Sequence, residues 1–284
     1  MSALGALPTV SIVVPAYNEE QTIRACVEAA LAQTVPAHEV IVVDNRSTDR
    51  TAVIVAELQS ENPDAPLTLV RQFDEQGLVP TRNLGLDTAT GEVIGRIDAD
   101  SVLEPTWVEE VQKAFIDPTV AAATGPVLYY DMPLRRFGLL ADDTLRRAML
   151  RLANEYHFVF GSNMALRATA WQAIRDEVCR DEDDLFHEDI DISVHLYDAG
   201  LRAVYVPTMV TGMSARRVDD SPRDYVSYVG RFDRTYTHHD VRNRALRAPA
   251  WVFLAVYPIA KGLRWGHQEL SARLGPGSAS APRD

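Results

Sequence analysis

The first hundred residues alternate between short apolar runs and longer stretches whose apolar residues recur at helical spacing. Four β-branched, apolar runs predict buried strands: 10–14, 40–43, 67–70 and 93–97. Three intervening stretches predict helices: 20–33, about 48–58, and 79–86. Strands that alternate with helices predict right-handed crossovers and a mainly parallel sheet. Because the strands are apolar throughout, we expect helices on both faces of that sheet, which is an α/β fold.

The pattern becomes mixed after Pro105. Helical spacing covers 105–115, 134–152 and 189–199, and short apolar runs predict strands at 120–124, 163–166 and 204–206. We therefore expect a sheet-forming domain over 1–207 with halves at 10–104 and 105–207, followed by a mostly helical C-terminal extension over 208–274. The last segment, 275–284, is rich in Gly, Ser, Ala and Pro and is expected to be disordered.

The charge and the cysteine content of the chain limit the kinds of partner that it can bind and the cellular compartment in which it is expected. The net charge of −12 over 284 residues argues against general nucleic-acid binding. The charge is uneven, because 1–201 holds 15 basic and 33 acidic residues, whereas 202–284 holds 13 and 7. Cys26 and Cys179 form no disulfide framework, so a cytoplasmic location is the default expectation. No signal peptide is evident in 1–9, and the apolar run at 248–260 is shorter than the roughly 20 residues of a membrane span.

The most informative chemical feature is the sequence Asp98-Ala99-Asp100, directly after the fourth predicted strand. Two carboxylates at a strand end can converge on one divalent cation, and oxygen ligands suit Mg²⁺ or Mn²⁺ shared with substrate phosphates. A single pair of this kind is also typical of an ordinary solvated turn.

Polar residues follow the other predicted strands as well. The first strand leads into 15–19, the second into 44–47, and the helix after the third carries Arg82. Because ligands of open α/β sheets bind at the carboxyl ends of the strands, these residues predict a site for a nucleoside diphosphate. No Gly-x-Gly-x-x-Gly or Walker A sequence occurs, which argues against a dinucleotide-binding dehydrogenase and a P-loop nucleotidase.

Taken together, four segments give the chain a family resemblance. Residues 13–20, 42–51, 77–100 and 188–191 occur in the order found in inverting glycosyltransferases of family 2, which have a GT-A fold. The chain resembles these enzymes over about 10–206. The resemblance implies metal-dependent transfer of a sugar from a nucleoside-diphosphate sugar, a UDP- or GDP-sugar, to a hydroxyl of a glycan, a lipid-linked molecule or a small molecule.

The resemblance also implies roles for individual residues. It assigns nucleotide-sugar binding to Pro15, Ala16, Tyr17, Glu19, Asp44, Arg82, Asp98, Ala99 and Asp100. It assigns the metal, Mn²⁺ or Mg²⁺, to Asp98 and Asp100, and the role of catalytic base to Asp189. It assigns the acceptor side to Trp107, Gly161, Ser162, Asn163 and Glu188.

Two features of the sequence leave alternatives open. A carboxylate is needed to deprotonate the acceptor hydroxyl, and Asp191 competes with Asp189 for that role. The histidine that many relatives carry after the strand at 204–206 is absent, so Arg216 and Arg217 could contact the diphosphate instead. His187, His238 and His239 are alternative metal ligands.

Two other functions compete with glycosyl transfer. A sugar-nucleotide pyrophosphorylase also uses a nucleotide-binding α/β sheet, although 15–20 is acidic rather than basic and glycine-rich. A catalytically inactive nucleotide-sugar-binding protein is the second alternative. The processive-synthase motif Gln-x-x-Arg-Trp is absent, which argues against a processive polysaccharide synthase. Cations and tryptophans flank an apolar run in 242–265, which predicts docking on the inner face of a membrane or on a second subunit. The alternative is a C-terminal helix packed on its own domain, which the prolines at 249 and 258 favour.

Overall fold

A computed structural model describes residues 6–153, 157–181 and 183–274. Its strands are β1 (Val10–Ala16), β2 (Glu39–Asp44), β3 (Leu67–Arg71), β4 (Val93–Arg96), β5 (Ser101–Leu103), β6 (Val120–Thr124), β7 (Val127–Tyr129), β8 (Met164–Arg167), β9 (Arg202–Tyr205) and β10 (Thr211–Met213). Its α-helices are α1 (Ile23–Leu31), α2 (Thr51–Glu61), α3 (Leu78–Thr88), α4 (Trp107–Ala114), α5 (Arg135–Ala153), α6 (Ala168–Ile174), α7 (Glu188–Asp198), α8 (Pro222–His238) and α9 (Ala248–Leu274). The short segments Arg216–Asp219 and Arg244–Arg247 are 3₁₀ helices.

The large sheet has seven strands in the order β3-β2-β1-β4-β8-β6-β9. The pairs β1–β2, β2–β3, β1–β4 and β6–β9 are parallel, and only β8 runs antiparallel to its neighbours. The predicted α/β class with a mainly parallel sheet is therefore confirmed.

Alternation along β1 explains why helices cover both faces of this sheet. Ile12 and Val14 pack into one buried cluster with residues of α1 and α2, whereas Val13 packs into a second cluster with Leu86 of α3. Successive side chains of a strand point to opposite faces, so an apolar strand needs cover on both sides.

The first strand is longer than the sequence predicts, because β1 continues through Pro15 to Ala16. The carbonyl of Val13 accepts a hydrogen bond from the amide of Ile97, so Pro15, two residues further on, faces the same neighbouring strand. That neighbour, β4, ends at Arg96, and Pro15 therefore loses no ladder hydrogen bond.

A second sheet, with the order β5-β10-β7, was not predicted. Strand β10 pairs antiparallel with β5 and parallel with β7, and each of the three strands has three residues. Strands this short carry no readable alternation. The small sheet brings 211–213, and the segment that follows it, beside the loop after the D-x-D sequence.

After strand β10, the described part of the C-terminal extension is mostly helical. Ser221 caps α8 by accepting a hydrogen bond from the Asp224 amide, and Pro222 occupies the first helical position. Helix α9 packs against α8 and contains Pro258. Within the described part of the chain, no helix is long and apolar enough to cross a membrane. The domain boundary at 207 stays a prediction, and the expected disordered tail at 275–284 lies outside the described residues.

Candidate functional site

The loops after β1 and β2 hold each other at the carboxyl edge of the sheet. The Asn18 amide donates to Ser47 Oγ at 3.0 Å, and the Thr48 amide donates to Asn18 Oδ1 at 2.8 Å. Asn18 has a φ of 54°, a conformation that asparagine tolerates better than most residues. Asn45 Oδ1 accepts from the Gly77 amide at 2.9 Å and so fixes the approach to α3.

Asp44 presents a carboxylate oxygen that no protein group satisfies. Its side chain is fully buried, and Oδ2 pairs with Nη1 of Arg71 at 2.8 Å. The other oxygen, Oδ1, is inaccessible and has no hydrogen-bond partner in the described structure. An unsatisfied buried acceptor costs about 1–3 kcal/mol, so a ligand donor that reaches this oxygen once the groups covering it move would recover that cost.

Asp98 and Asp100 lie at the end of β4, beside Glu19 from the β1 loop. Arg216 contacts two of these acids, because its guanidinium forms two hydrogen bonds with Glu19, at 2.8 and 2.6 Å, and its Nε lies 2.9 Å from Asp100 Oδ2. The predicted nucleotide residues Glu19, Asp98 and Asp100 are thus brought together, and Arg216 occupies the space between them.

The donor set at this position fits a hard divalent cation. Burial, with Asp98 and Glu19 adding to it, raises the pKa of Asp100 to about 7 even though Arg216 opposes the shift. Crowded, partly desolvated carboxylates favour a cation, and Mg²⁺ or Mn²⁺ needs only one or two of them when substrate phosphates and water complete its shell.

A buried ion cluster lies next to the D-x-D sequence. Arg82 Nη2 pairs with Asp98 Oδ1 at 3.0 Å, and Arg82 Nη1 pairs with Glu188. Glu188 also accepts from Arg96 Nη1 at 3.1 Å, and the Arg96 side chain is fully buried. One carboxylate, at the start of α7, therefore compensates two buried guanidiniums.

The electrostatics of the cluster follow from that arrangement. Burial favours the neutral form of Glu188, but Arg82 and Arg96 outweigh it and lower its pKa to about 2. The pKa of Arg96 falls because of burial and of the neighbouring Arg82. Glu188 is thus ionised at neutral pH, which makes it a poor candidate for proton transfer there.

Asp189 lies beside Glu188 but makes different contacts. Its Oδ2 accepts from the Gly161 amide at 2.8 Å, and its Oδ1 accepts from the Ile190 amide at 2.9 Å. The side chain is half-buried and forms no ion pair in the described structure. Gly161 fits because a Cβ there would lie 1.9 Å from Arg96 Nη2.

The rival base, Asp191, points away from this edge. It accepts from the Cys179 amide at 3.0 Å and pairs with His239 Nε2 at 2.8 Å. Asp189 and Asp191 are therefore separated by the turn of α7, and Asp189 is the one beside Gly161 and Glu188.

The remaining predicted residues divide between the surface and the core. Tyr17 is half exposed at the edge of the site, whereas Ala16 and Ala99 are buried in the core beneath it. Trp107 is fully buried and donates from Nε1 to Asn163 Oδ1 at 2.8 Å, so both support the site from below. The roles assigned to all the predicted site residues, including Pro15, Gly161, Ser162 and Asn163, stay predictions.

Three residues of the site were missed or only partly anticipated. In the sequence, Arg96 looks like an ordinary strand residue. Its buried guanidinium is compensated by Glu188, which lies 92 positions later in the chain. Tyr228 reaches the cluster from α8: burial and then the charge of Asp189 raise the pKa of its hydroxyl. Arg216 was considered for the diphosphate, but its contacts with Glu19 and Asp100 depend on the unpredicted small sheet.

The alternative histidine ligands lie away from Asp98 and Asp100. His187 is buried against Phe232, with ring centroids 4.2 Å apart. His238 and His239 lie at the end of α8, beside Cys179 and Asp191.

Comparison with known proteins identifies relatives of this architecture. Residues 11–175 match the sequence model of the family described as Glycosyl transferase family 2. The chain is 36% identical over 121 residues to a hyaluronan synthase of Pasteurella multocida, covering 42% of this chain and 12% of the synthase. It is 33% identical over 105 residues to glycosyltransferase AglE of Haloferax volcanii, covering 36% of this chain and 34% of AglE. The chain thus spans about a third of AglE and about an eighth of the hyaluronan synthase.

Solved structures show the same fold at lower identity. The mannosyltransferase PcManGT from Pyrobaculum calidifontis, in complex with GDP-Man and Mn²⁺, has a TM-score of 0.61 and 23% identity, covering 98% of this chain and 79% of that one. Glucosyl-3-phosphoglycerate synthase from Mycobacterium tuberculosis, in complex with Mn²⁺, UDP-glucose and phosphoglyceric acid, has a TM-score of 0.54 and 18% identity, covering 82% and 81%. These likenesses confirm the predicted GT-A fold.

Proposed function

Because the chain belongs to glycosyltransferase family 2, we propose that it transfers a sugar from a UDP- or GDP-sugar to an acceptor hydroxyl, with inversion at the anomeric carbon. The observation that carries this proposal is that Asp44, and the pair Asp98 and Asp100, lie at the carboxyl ends of the parallel strands β2 and β4. Asp189 follows Glu188, which Arg82 links to Asp98. The solved relatives hold GDP-Man and UDP-glucose, which supports a nucleoside-diphosphate sugar as donor.

Nucleoside recognition rests on Asp44. Its unsatisfied Oδ1 is a strong acceptor for a ring N–H of uracil or guanine. The exposed ring of Tyr17 is available to pack on the base or ribose. Arg82 is largely committed to Asp98 and Glu188, so it acts on the phosphates through its charge more than through free donors.

Asp98 and Asp100 are the residues that would hold Mn²⁺ or Mg²⁺. A cation at this position supplies neutralisation of the negative charge that develops on the leaving diphosphate. In the described structure Arg216 already neutralises Glu19 and Asp100, so we expect it to move toward the diphosphate when the donor binds. Both solved relatives were complexed with Mn²⁺, which favours manganese.

Asp189 is the proposed base. Its Oδ2 is held by the Gly161 amide, which orients the carboxylate without protonating it. Glu188 remains ionised beside Arg82 and Arg96 and keeps their charges balanced. Removal of the acceptor proton by Asp189 makes the hydroxyl oxygen nucleophilic, and that oxygen then displaces the diphosphate from the opposite face of the sugar.

A donor panel tests the proposal. Isothermal titration calorimetry with UDP- and GDP-sugars in Mn²⁺ measures binding, and a coupled assay measures nucleotide release. We expect one nucleotide to bind and to be released slowly as the diphosphate, with Asp44→Asn weakening the affinity. Release of a nucleoside triphosphate in the presence of pyrophosphate would identify a pyrophosphorylase. Binding without release or transfer to any acceptor would identify an inactive binding protein.

The outer face of α9 is proposed as the contact with a second copy of the chain. Trp251, Ile259 and Trp265 are 72%, 64% and 68% exposed. Two of the cations around them are used within the chain, because Arg264 pairs with Asp131 and Lys261 donates to the Asp220 carbonyl. An apolar face with few free cations favours a protein partner over an anionic bilayer.

Light scattering and vesicle sedimentation distinguish the partners of α9. We expect a dimer that Ile259→Asp dissociates and that the control Phe137→Asp, on an exposed face of α5, leaves intact. A monomer that sediments with anionic vesicles would favour the membrane instead, and a monomer that ignores vesicles would contradict both ideas. The cytoplasmic location stays a prediction.

A further inference from the structure

A second group of metal-ligating side chains lies on the far side of α7 from the nucleotide site. Cys179, Asp191, His195 and His239 each place one ligand atom within 4.8 Å of the others. His239 Nε2 lies 2.8 Å from Asp191 Oδ1, and His195 Nε2 lies 3.4 Å from the same oxygen. These separations suit ligands that share one small cation.

The four residues come from three separate elements. Asp191 and His195 are one helical turn apart on α7 and so lie on the same face. Cys179 lies in the segment after α6, and His239 directly follows α8. The fold, rather than a local sequence motif, brings them together.

The hydrogen bonding of this group is incomplete without a ligand. His195 Nε2 is inaccessible to solvent and has no hydrogen-bond partner in the described structure. Asp191 is 2% exposed, and its Oδ1 faces both imidazoles. A buried ring nitrogen that only faces other potential ligands indicates a position for a cation.

We propose that Cys179, Asp191, His195 and His239 bind a structural Zn²⁺ ion. Thiolate, imidazole and carboxylate are the three ligand types that zinc takes in proteins, and four of them complete a tetrahedral site with no open position. Such a set differs from the all-oxygen chemistry of Asp98 and Asp100, which suits Mn²⁺ or Mg²⁺.

A zinc ion at this site would link three parts of the fold. The ion joins the α6–α7 segment, α7 and the end of α8, and α7 begins with Glu188 and Asp189. Zinc therefore fixes the helix that carries the proposed base against the C-terminal extension. Loss of the ion is expected to lower thermal stability, because the binding free energy contributes to folding.

Metal analysis of the full chain, purified without chelator, tests the proposal. We expect about one zinc per chain, the stoichiometry of one four-ligand site. Cobalt substitution is expected to give a thiolate-to-cobalt charge-transfer band, which identifies a cysteine ligand in the unaltered protein. Zinc is expected to be lost in Cys179→Ala and His239→Ala.

The chain offers matched controls. His38 and Cys26 are a histidine and a cysteine outside the set, so His38→Ala and Cys26→Ala are expected to keep zinc. Asp100→Ala is also expected to keep zinc, which separates this site from the nucleotide site. Protein without zinc after zinc addition and removal of excess, a cobalt complex without the thiolate band, or a Cys179→Ala variant that keeps its zinc would each overturn the proposal.

Discussion

Replacing Glu188 by Gln removes the one carboxylate that Arg82 and Arg96 share. The Glu188 side chain is 15% exposed, and the guanidiniums are 8% and 0% exposed. Gln has nearly the same shape, so the change isolates the charge. After it, Asp98 still pairs with Arg82, but Arg96 keeps no ion-pair partner in the described structure.

The expected loss of stability can be estimated in two ways. Burial opposes ionisation of Glu188, but the arginines outweigh it and lower its pKa from 4.5 to about 2. One pKa unit corresponds to about 1.4 kcal/mol, so the ionised carboxylate contributes a net of about 3 kcal/mol at neutral pH. Breaking a buried ion pair by removing one partner costs about 3–5 kcal/mol, because a charge stays buried without compensation. The two estimates agree.

Urea unfolding, followed by circular dichroism at pH 7, measures this loss. The control is Glu61→Gln, which removes an exposed partner of Arg24 and is expected to cost far less, because water screens an exposed ion pair. Because the pKa of Glu188 is lowered by folding, its contribution is present above pH 4.5 and disappears as the pH falls toward 2. The difference between wild type and Glu188→Gln should shrink over that range. A loss at pH 7 no larger than that of Glu61→Gln would refute the buried ion cluster.

Three further predictions concern the site directly. Asp189→Asn should keep its affinity for the donor and lose turnover by about 10²-fold or more in steady-state assays, whereas an unchanged rate would exclude it as base. Asp100→Ala, or excess EDTA with the wild-type protein, should abolish nucleotide release, and full turnover in EDTA would contradict metal dependence. Gly161→Ala should destabilise the chain by about 1–3 kcal/mol, because the new methyl group meets Arg96. The matched control Gly138→Ala, with open space around it on α5, should be neutral or stabilising in the same unfolding assay.

The N-terminal half of the fold, in which strands and helices alternate, was predictable because each element has its own local pattern of apolar residues. The runs that became β2, β3 and β4 end within a residue of their predicted positions. Parallel strands place their carboxyl ends at one edge, so the placement of Asp44, Asp98 and Asp100 at the same edge of the sheet followed from topology. The small sheet β5-β10-β7 was not predictable, since three residues are too few to show a period.

The missed parts of the site depend on long-range contacts. Arg96 and Glu188 are 92 positions apart, and Arg216 reaches Glu19 across 197 positions. Nothing in the local sequence marks Arg96 as a buried cation rather than an edge residue. The Cys179–His239 group was missed for the same reason, because its members come from three elements with no zinc-binding spacing.

The central claim is that this edge of the sheet carries out inverting glycosyl transfer from a nucleoside-diphosphate sugar. Proton NMR of the product formed from an α-linked UDP- or GDP-sugar tests it most directly, because it identifies both the released nucleotide and the new anomeric bond. The account predicts release of the nucleoside diphosphate and a β-linked product, with both lost in Asp189→Asn. An α-linked product, or transfer that continues unchanged in Asp189→Asn, would contradict it.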